Sequence, residues 1–135
     1  MTKIDHLGIA VKSLSEAKAF YEKLGLPVMP EETVEAEKVR VAMVPVGESR
    51  IELLEPTTPD STIAKFLDKR GPGLHHVALH VTNLAERVQE LKAAGTRLIN
   101  GEVKVGAGGH MYVFVHPAST GGVLLELVEE APVGV

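Results

Sequence analysis

Apolar and polar positions change period several times along the chain, and the changes mark out its elements. Over residues 4–11 the period is two. His6, Gly8 and Ala10 fall on one face and Leu7, Ile9 and Val11 on the other, which predicts a strand. The period then lengthens to that of a helix. Ser13, with Glu16 three residues on, makes a capping box; Leu14, Ala17, Phe20, Tyr21 and Leu24 form an apolar stripe, and Gly25 ends it. Pro27 and Pro30 break the connection that follows, and the acidic segment 31–37 reads as solvated surface. Residues 39–44 predict a strand, Gly47, Glu48 and Ser49 a turn, and 50–54 its hairpin partner. A linker over 55–60 leads to a short helix at 61–69 with Ile63, Phe66 and Leu67 on one face. Gly71, Pro72 and Gly73 close it.

The pattern then begins again. Leu74-His75-His76-Val77-Ala78-Leu79-His80-Val81 restates Ile4-Asp5-His6-Leu7-Gly8-Ile9-Ala10-Val11, with a histidine at the third place of each. Asn83 with Glu86 caps a second helix, whose stripe is Leu84, Val88 and Leu91. His6 precedes Ser13 by seven residues and Gly25 by nineteen; His76 precedes Asn83 and Gly95 by the same two intervals. Residues 97–99 predict a short strand, and 104–110, with three glycines, a loop. A second hairpin follows over 111–115 and 123–128, joined by 116–122. Ile51-Glu52-Leu53-Leu54 in the first half answers Leu125-Glu126-Leu127-Val128 in the second. Each half therefore reads β-α-β-β-β, with a histidine on its first strand and a glutamate on its last. If a pseudo-two-fold relates the halves, His6, Glu52, His76 and Glu126 can converge where the two sheets meet.

Composition narrows the chemistry. With 135 residues, 44% of them hydrophobic, the chain can bury a sizeable core as a single domain. No apolar run approaches the roughly 18 residues of a membrane span, so the expectation is a cytoplasmic protein with no membrane partner. The net charge of −4 and the absence of Trp argue against nucleic acid. Without cysteine, any metal must be held by His, Asp, Glu or neutral oxygens. Two imidazoles and two carboxylates form a mixed N/O set that suits Zn, Co, Ni, Mn or Fe. A lone strand histidine is more often a satisfied core residue. Recurrence at equivalent places, beside the small Gly8, Ala10 and Ala78, favours a site.

The other histidines take plainer readings. His75 points away from His76, His80 has a supporting or structural place, His110 sits at a loop edge, and His116-Pro117 makes a turn. Gly106-Ala107-Gly108-Gly109 lacks the strand–loop–helix setting of a nucleotide loop and reads as a flexible wall over a pocket.

The paired modules with His and Glu on equivalent strands resemble the vicinal oxygen chelate (glyoxalase/bleomycin resistance/dioxygenase) superfamily. Within it, three stretches resemble the methylmalonyl-CoA epimerase family. They are residues 4–11, the run from Ile51-Glu52-Leu53-Leu54-Glu55-Pro56 through the 61–67 helix to Gly73-Leu74-His75-His76-Val77-Ala78, and Gly121-Gly122-Val123-Leu124-Leu125-Glu126-Leu127. The first is generic to the superfamily; the second and third together are specific. The resemblance covers essentially the whole chain. It implies an α+β fold, with tandem βαβββ modules forming an open cupped mixed sheet around a metal and helices outside. The modules span about 3–56 and 73–130, joined by the linker helix. It implies a divalent ion, usually Co²⁺, with Zn²⁺, Ni²⁺ or Mn²⁺ as alternatives, held by His6, Glu52, His76 and Glu126. It further implies a homodimer that interconverts (2R)- and (2S)-methylmalonyl-CoA through a metal-stabilised enolate.

Two departures bear on mechanism. Some members of that family carry a glutamate on the hairpin strand and a glutamine at the Glu52 position; here the hairpin place is Val41, next to Arg40. Glu126 carries over as the acid/base group. Glu52 is the leading second base, ahead of Glu37 or a bound water. Lys65, Lys69, Arg70, Lys104 and Arg40 lie near candidate pocket segments, but exposed cations are ordinarily surface solvation. Glyoxalase I shares the fold and ligand types; it is set behind because Ala10 stands where a glutathione-binding arginine is expected, and because residues 56–73 and 106–116 resemble the epimerases. A non-catalytic binding protein of this fold would commonly lack some of the four ligands.

Overall fold

A computed structural model describes residues 2–106 and 109–130. The fold is α+β, with two βαβββ modules in tandem. The first consists of β1 (Lys3–Ala10), α1 (Leu14–Lys23), β2 (Glu32–Val34), β3 (Val39–Val46) and β4 (Ser49–Pro56). Helix α2 (Thr62–Arg70) follows. The second module is β5 (Gly73–His80), α3 (Leu84–Ala93), β6 (Lys104–Val105), β7 (Met111–Val115) and β8 (Leu125–Glu129). The chain divides into a unit of residues 6–75 and a unit formed by the other described residues.

In the first unit β4 is the central strand. It pairs in parallel with β1, from His6 opposite Arg50 to Ala10 opposite Leu54, and antiparallel with β3. Because side chains alternate across a strand, the sheet has two faces to cover. Helix α1 covers one, where Leu14 joins buried Ala42, Val44 and Leu53, with Ala17 and Tyr21 alongside. Helix α2 covers the other, where Ile63 meets Ala10, Val39, Val41 and Leu54. Two expectations change. The acidic segment holds β2, which pairs with β3 along Glu32 to Val34, and a 3₁₀ turn at Glu35–Glu37. The α1 stripe is narrower than predicted: Phe20 is 59% and Leu24 63% exposed. Leu24 is already the C-cap residue, and Phe20 lies a hundred degrees round from Tyr21, edge-on to its ring.

In the second unit β8 takes the place of β4. It pairs in parallel with β5, from Val77 opposite Leu125 to His80 opposite Val128, and antiparallel with β7. Helix α3 lays Leu84 and Val88 against Val81, Val113, Val115 and Leu127. The segment expected to be entirely loop contains β6, paired with β7 through Lys104 and Val105. Residues 97–99 form only an isolated bridge, Leu98 opposite Val115. The predicted strand 123–128 begins at Leu125. Ala107 and Gly108 of the expected flexible wall lie outside the described residues. Among the described residues no helix is long and apolar enough to cross a membrane.

Candidate functional site

The same local device occurs in each unit. On β1, Gly8 stands opposite Glu52 of β4, and His6 precedes Gly8 by two residues, on the same face. A glycine leaves the diagonal open, so Glu52 reaches past it to His6, with Oε1 3.5 Å from Nε2. On β5, Ala78 stands opposite Glu126 of β8, and His76 precedes Ala78 by two. Glu126 Oε1 lies 3.4 Å from His76 Nε2. Both histidines are buried, His6 at 6% exposure and His76 at 5%. Short side chains at Gly8 and Ala78 are what this diagonal needs.

The separations also bear on metal binding. They exceed the 2.7–3.2 Å typical of a hydrogen bond. Two donors each about 2.1 Å from one tetrahedral cation would lie about 3.4 Å apart, so each pair is spaced like two ligands of a common ion. The donor chemistry and the spacing within each unit fit a divalent metal.

The third strand of each sheet adds a different neighbour. Met43 of β3 stands opposite Glu52, and Phe114 of β7 opposite Glu126. Phe114 meets the His76 ring edge-on at 5.7 Å. Val41, at the expected hairpin place, is buried with Ala10, Leu54 and Ile63, so this position offers no carboxylate beside Glu52. Arg40 points elsewhere and donates to Glu55 Oε1 at 2.9 Å.

A second pair of carboxylates was missed by sequence reasoning. Glu55 accepts from the Leu14 backbone N–H at 2.6 Å, at the start of α1. Glu129 accepts from the Asn83 and Leu84 N–H groups at 2.7 and 3.1 Å, at the start of α3. Each stands three residues after its site glutamate and therefore on the opposite face of its strand. The signal was a Glu-x-x-Glu phrase ending each module. Ser13 caps α1 as expected, accepting from Glu16 N–H at 3.2 Å. Asn83 does not cap α3 with its side chain: its backbone is left-handed, and Glu129 serves the free N–H groups instead.

The remaining histidines separate by contact. His75 meets the Phe66 ring of α2 at 5.0 Å. His116 Nδ1 accepts from Ala118 N–H and caps the turn at Pro117–Ser119. His80 is half-buried, and its Nδ1 is closed to solvent without a hydrogen-bond partner among the described residues. Lys65, Lys69, Arg70, Lys104 and Arg40 are all exposed, as is Glu37.

With two repeated His–Glu pairs on tandem βαβββ modules, the comparisons with known proteins agree on the class. The chain belongs to the glyoxalase/bleomycin resistance protein/dioxygenase superfamily, whose family model matches residues 5–114. It is 45% identical to the Bacillus subtilis protein YqjC, over 96% of this chain and 93% of that one. It is 40% identical to the human mitochondrial methylmalonyl-CoA epimerase, over 93% of this chain and 72% of that protein. A solved methylmalonyl-CoA epimerase in complex with methylmalonyl-CoA and ammonium superposes with a TM-score of 0.90 at 36% identity, covering 98% of this chain and 97% of that one.

Proposed function

We propose that this chain is a metal-dependent epimerase that interconverts (2R)- and (2S)-methylmalonyl-CoA. The observation that carries the reading is a buried histidine paired with a glutamate at the same register in both modules. The likeness to epimerases named for this substrate supports it. In this reading His6, Glu52, His76 and Glu126 hold one divalent cation, Co²⁺ by preference and Zn²⁺, Ni²⁺ or Mn²⁺ as alternatives. When bound, that ion supplies positive charge where the thioester oxygen becomes negative.

The chain's own residues move the proton. C2 of the substrate lies between a thioester carbonyl and a carboxylate, so its proton is the acidic one and its loss gives an enolate. A carboxylate oxygen of Glu126 takes that proton. Inversion needs a proton returned to the opposite face, which a single base on one face does not provide. Glu52, the repeat-equivalent carboxyl, is the group that returns it while sitting at or near the metal. Symmetry supports the assignment, as does the absence of a carboxylate on β3, which presents Met43 and Val41. Glu52→Gln is expected to slow epimerisation by about 10²–10⁴-fold, the usual worth of a positioned acid/base group. Near-normal turnover with metal still bound would remove Glu52 from this role.

The direct test supplies (2S)-methylmalonyl-CoA in D₂O to chelator-stripped protein refilled with Co²⁺. Mass spectrometry follows deuterium at C2, and a coupled mutase assay reads configuration. Metal-dependent exchange with inversion is expected. Exchange without inversion would leave one competent base, and no exchange with metal bound would overturn the epimerase. The reading also includes a homodimer, which light scattering measures as twice the 14.4 kDa chain mass.

A further inference from the structure

One position beyond the site glutamates, the two modules part company. In the first unit, Ala10, Leu54 and Val41 form the next row across β1, β4 and β3, and Ile63 of α2 packs on it. The matching row in the second unit is His80, Val128 and Tyr112, across β5, β8 and β7. Ala10 and His80 are repeat-equivalent, each four residues after its site histidine. Helix α3 packs on the other face of this sheet, with Val81, Val113 and Leu127. Among the described residues of the unit, no helix packs on the His80 face. An imidazole thus stands where the first module has a methyl group under a helix. Among the described residues its Nδ1, withdrawn from solvent, has no hydrogen-bond partner, although buried polar nitrogens are rarely left so.

We propose that His80 binds the first amide of the thiol arm of an acyl thioester, which makes it a substrate-binding residue. The proposal rests on the acyl-CoA reading above and extends it to the arm. Reach and chemistry both select this group. Neighbouring rows along a strand are separated by about 6.6 Å. In a CoA thioester the amide nitrogen lies four bonds beyond the thioester carbonyl carbon, so a carbonyl at the Glu126 row brings the amide to the His80 row. It is also the first group past the sulfur with hydrogen-bonding capacity. A neutral imidazole nitrogen either accepts or donates according to tautomer. An amide answers both, through N–H or C=O. In the first module the equivalent row is covered by Ile63.

The test compares two thioesters that differ in this amide. Methylmalonyl-S-(N-acetylcysteamine) carries it; methylmalonyl-S-butyl does not. Calorimetry on the metal-loaded protein is expected to give about tenfold tighter binding of the amide compound, the effect of about 1.4 kcal/mol. His80→Phe should bring that ratio close to one, and His80→Gln, which keeps a polar group, should retain most of it. An undiminished ratio in His80→Phe overturns the proposal. A second reading needs no variant: the imidazole ¹⁵N signal of His80 should shift on adding the amide thioester and stay in place with the butyl one. An unmoved signal with both overturns it as well. Wild-type protein that discriminates the thioesters yet exchanges no C2 hydrogen would overturn the epimerase and leave this contact standing. Equal binding of the two by an active epimerase would do the reverse.

Discussion

At Asn83 the backbone turns through a φ of 55°, a conformation that Asn tolerates better than most side chains. That turn removes the Asn83 side chain from its expected capping role and leaves the start of α3 to Glu129. Glu129→Ala should therefore cost about 1 kcal/mol, as loss of a cap does, whereas Asn83→Gly should change stability by only a few tenths. Urea unfolding measures both. Ser13→Ala should behave like Glu129→Ala, because Ser13 does cap its helix. A different residue-scale effect lies at Asp60, where hydrogen bonds from Lys38 and Thr58 hold the carboxyl down to about 2. Its contribution is complete above the unfolded value of 3.8 and is lost as pH falls through about 2. NMR titration should find that low value, rising towards the ordinary carboxylate range in Lys38→Ala. None of these capping details was hidden for want of signal. Glu55 precedes Pro56 and so read as linker, although the identical spacing of Glu129 from Glu126 marked it as part of the repeat.

Elements were legible in proportion to their length. Strands of eight residues and helices of nine or ten show enough period to be placed from sequence. Strands β2 and β6, of three and two residues, do not. They are strands because β3 and β7 offer free edges for them to pair with, a cause that lies outside their own residues. Helix α1 shows the converse error. Its apolar positions were visible, but which of them the sheet covers depends on where β3 and β4 end beneath it. Burial decides the cost of substitution. Leu53, fully buried between α1 and its sheet, should cost 2–5 kcal/mol on change to Ala. Phe20→Ser, on the exposed side, should stay within about 0.5 kcal/mol. The midpoint of denaturant unfolding separates the two.

Over the whole molecule the duplication was the most readable feature, because two copies of one pattern test each other. His6 with Glu52 and His76 with Glu126 were paired by that comparison, and within each module they stand at ligand-like distance. What duplication could not foretell is where the copies differ: Gly8 against Ala78, Met43 against Phe114, Ala10 against His80. If the four residues hold one metal in the folded state alone, that metal adds stability by mass action, about 4 kcal/mol at a thousandfold excess over Kd. Chelation should then lower the melting temperature of the wild type and leave that of His76→Ala almost unchanged. The Glu-x-x-Glu phrase has a further consequence for how such a gene can vary. Its two carboxylates serve opposite faces only because three is an odd step on a structure of period two. Gain or loss of a single codon between them would turn both to the same face, stripping either the helix or the site histidine of its partner. Two codons could be inserted together without that exchange, so tolerated length changes within β4 and β8 should come in pairs.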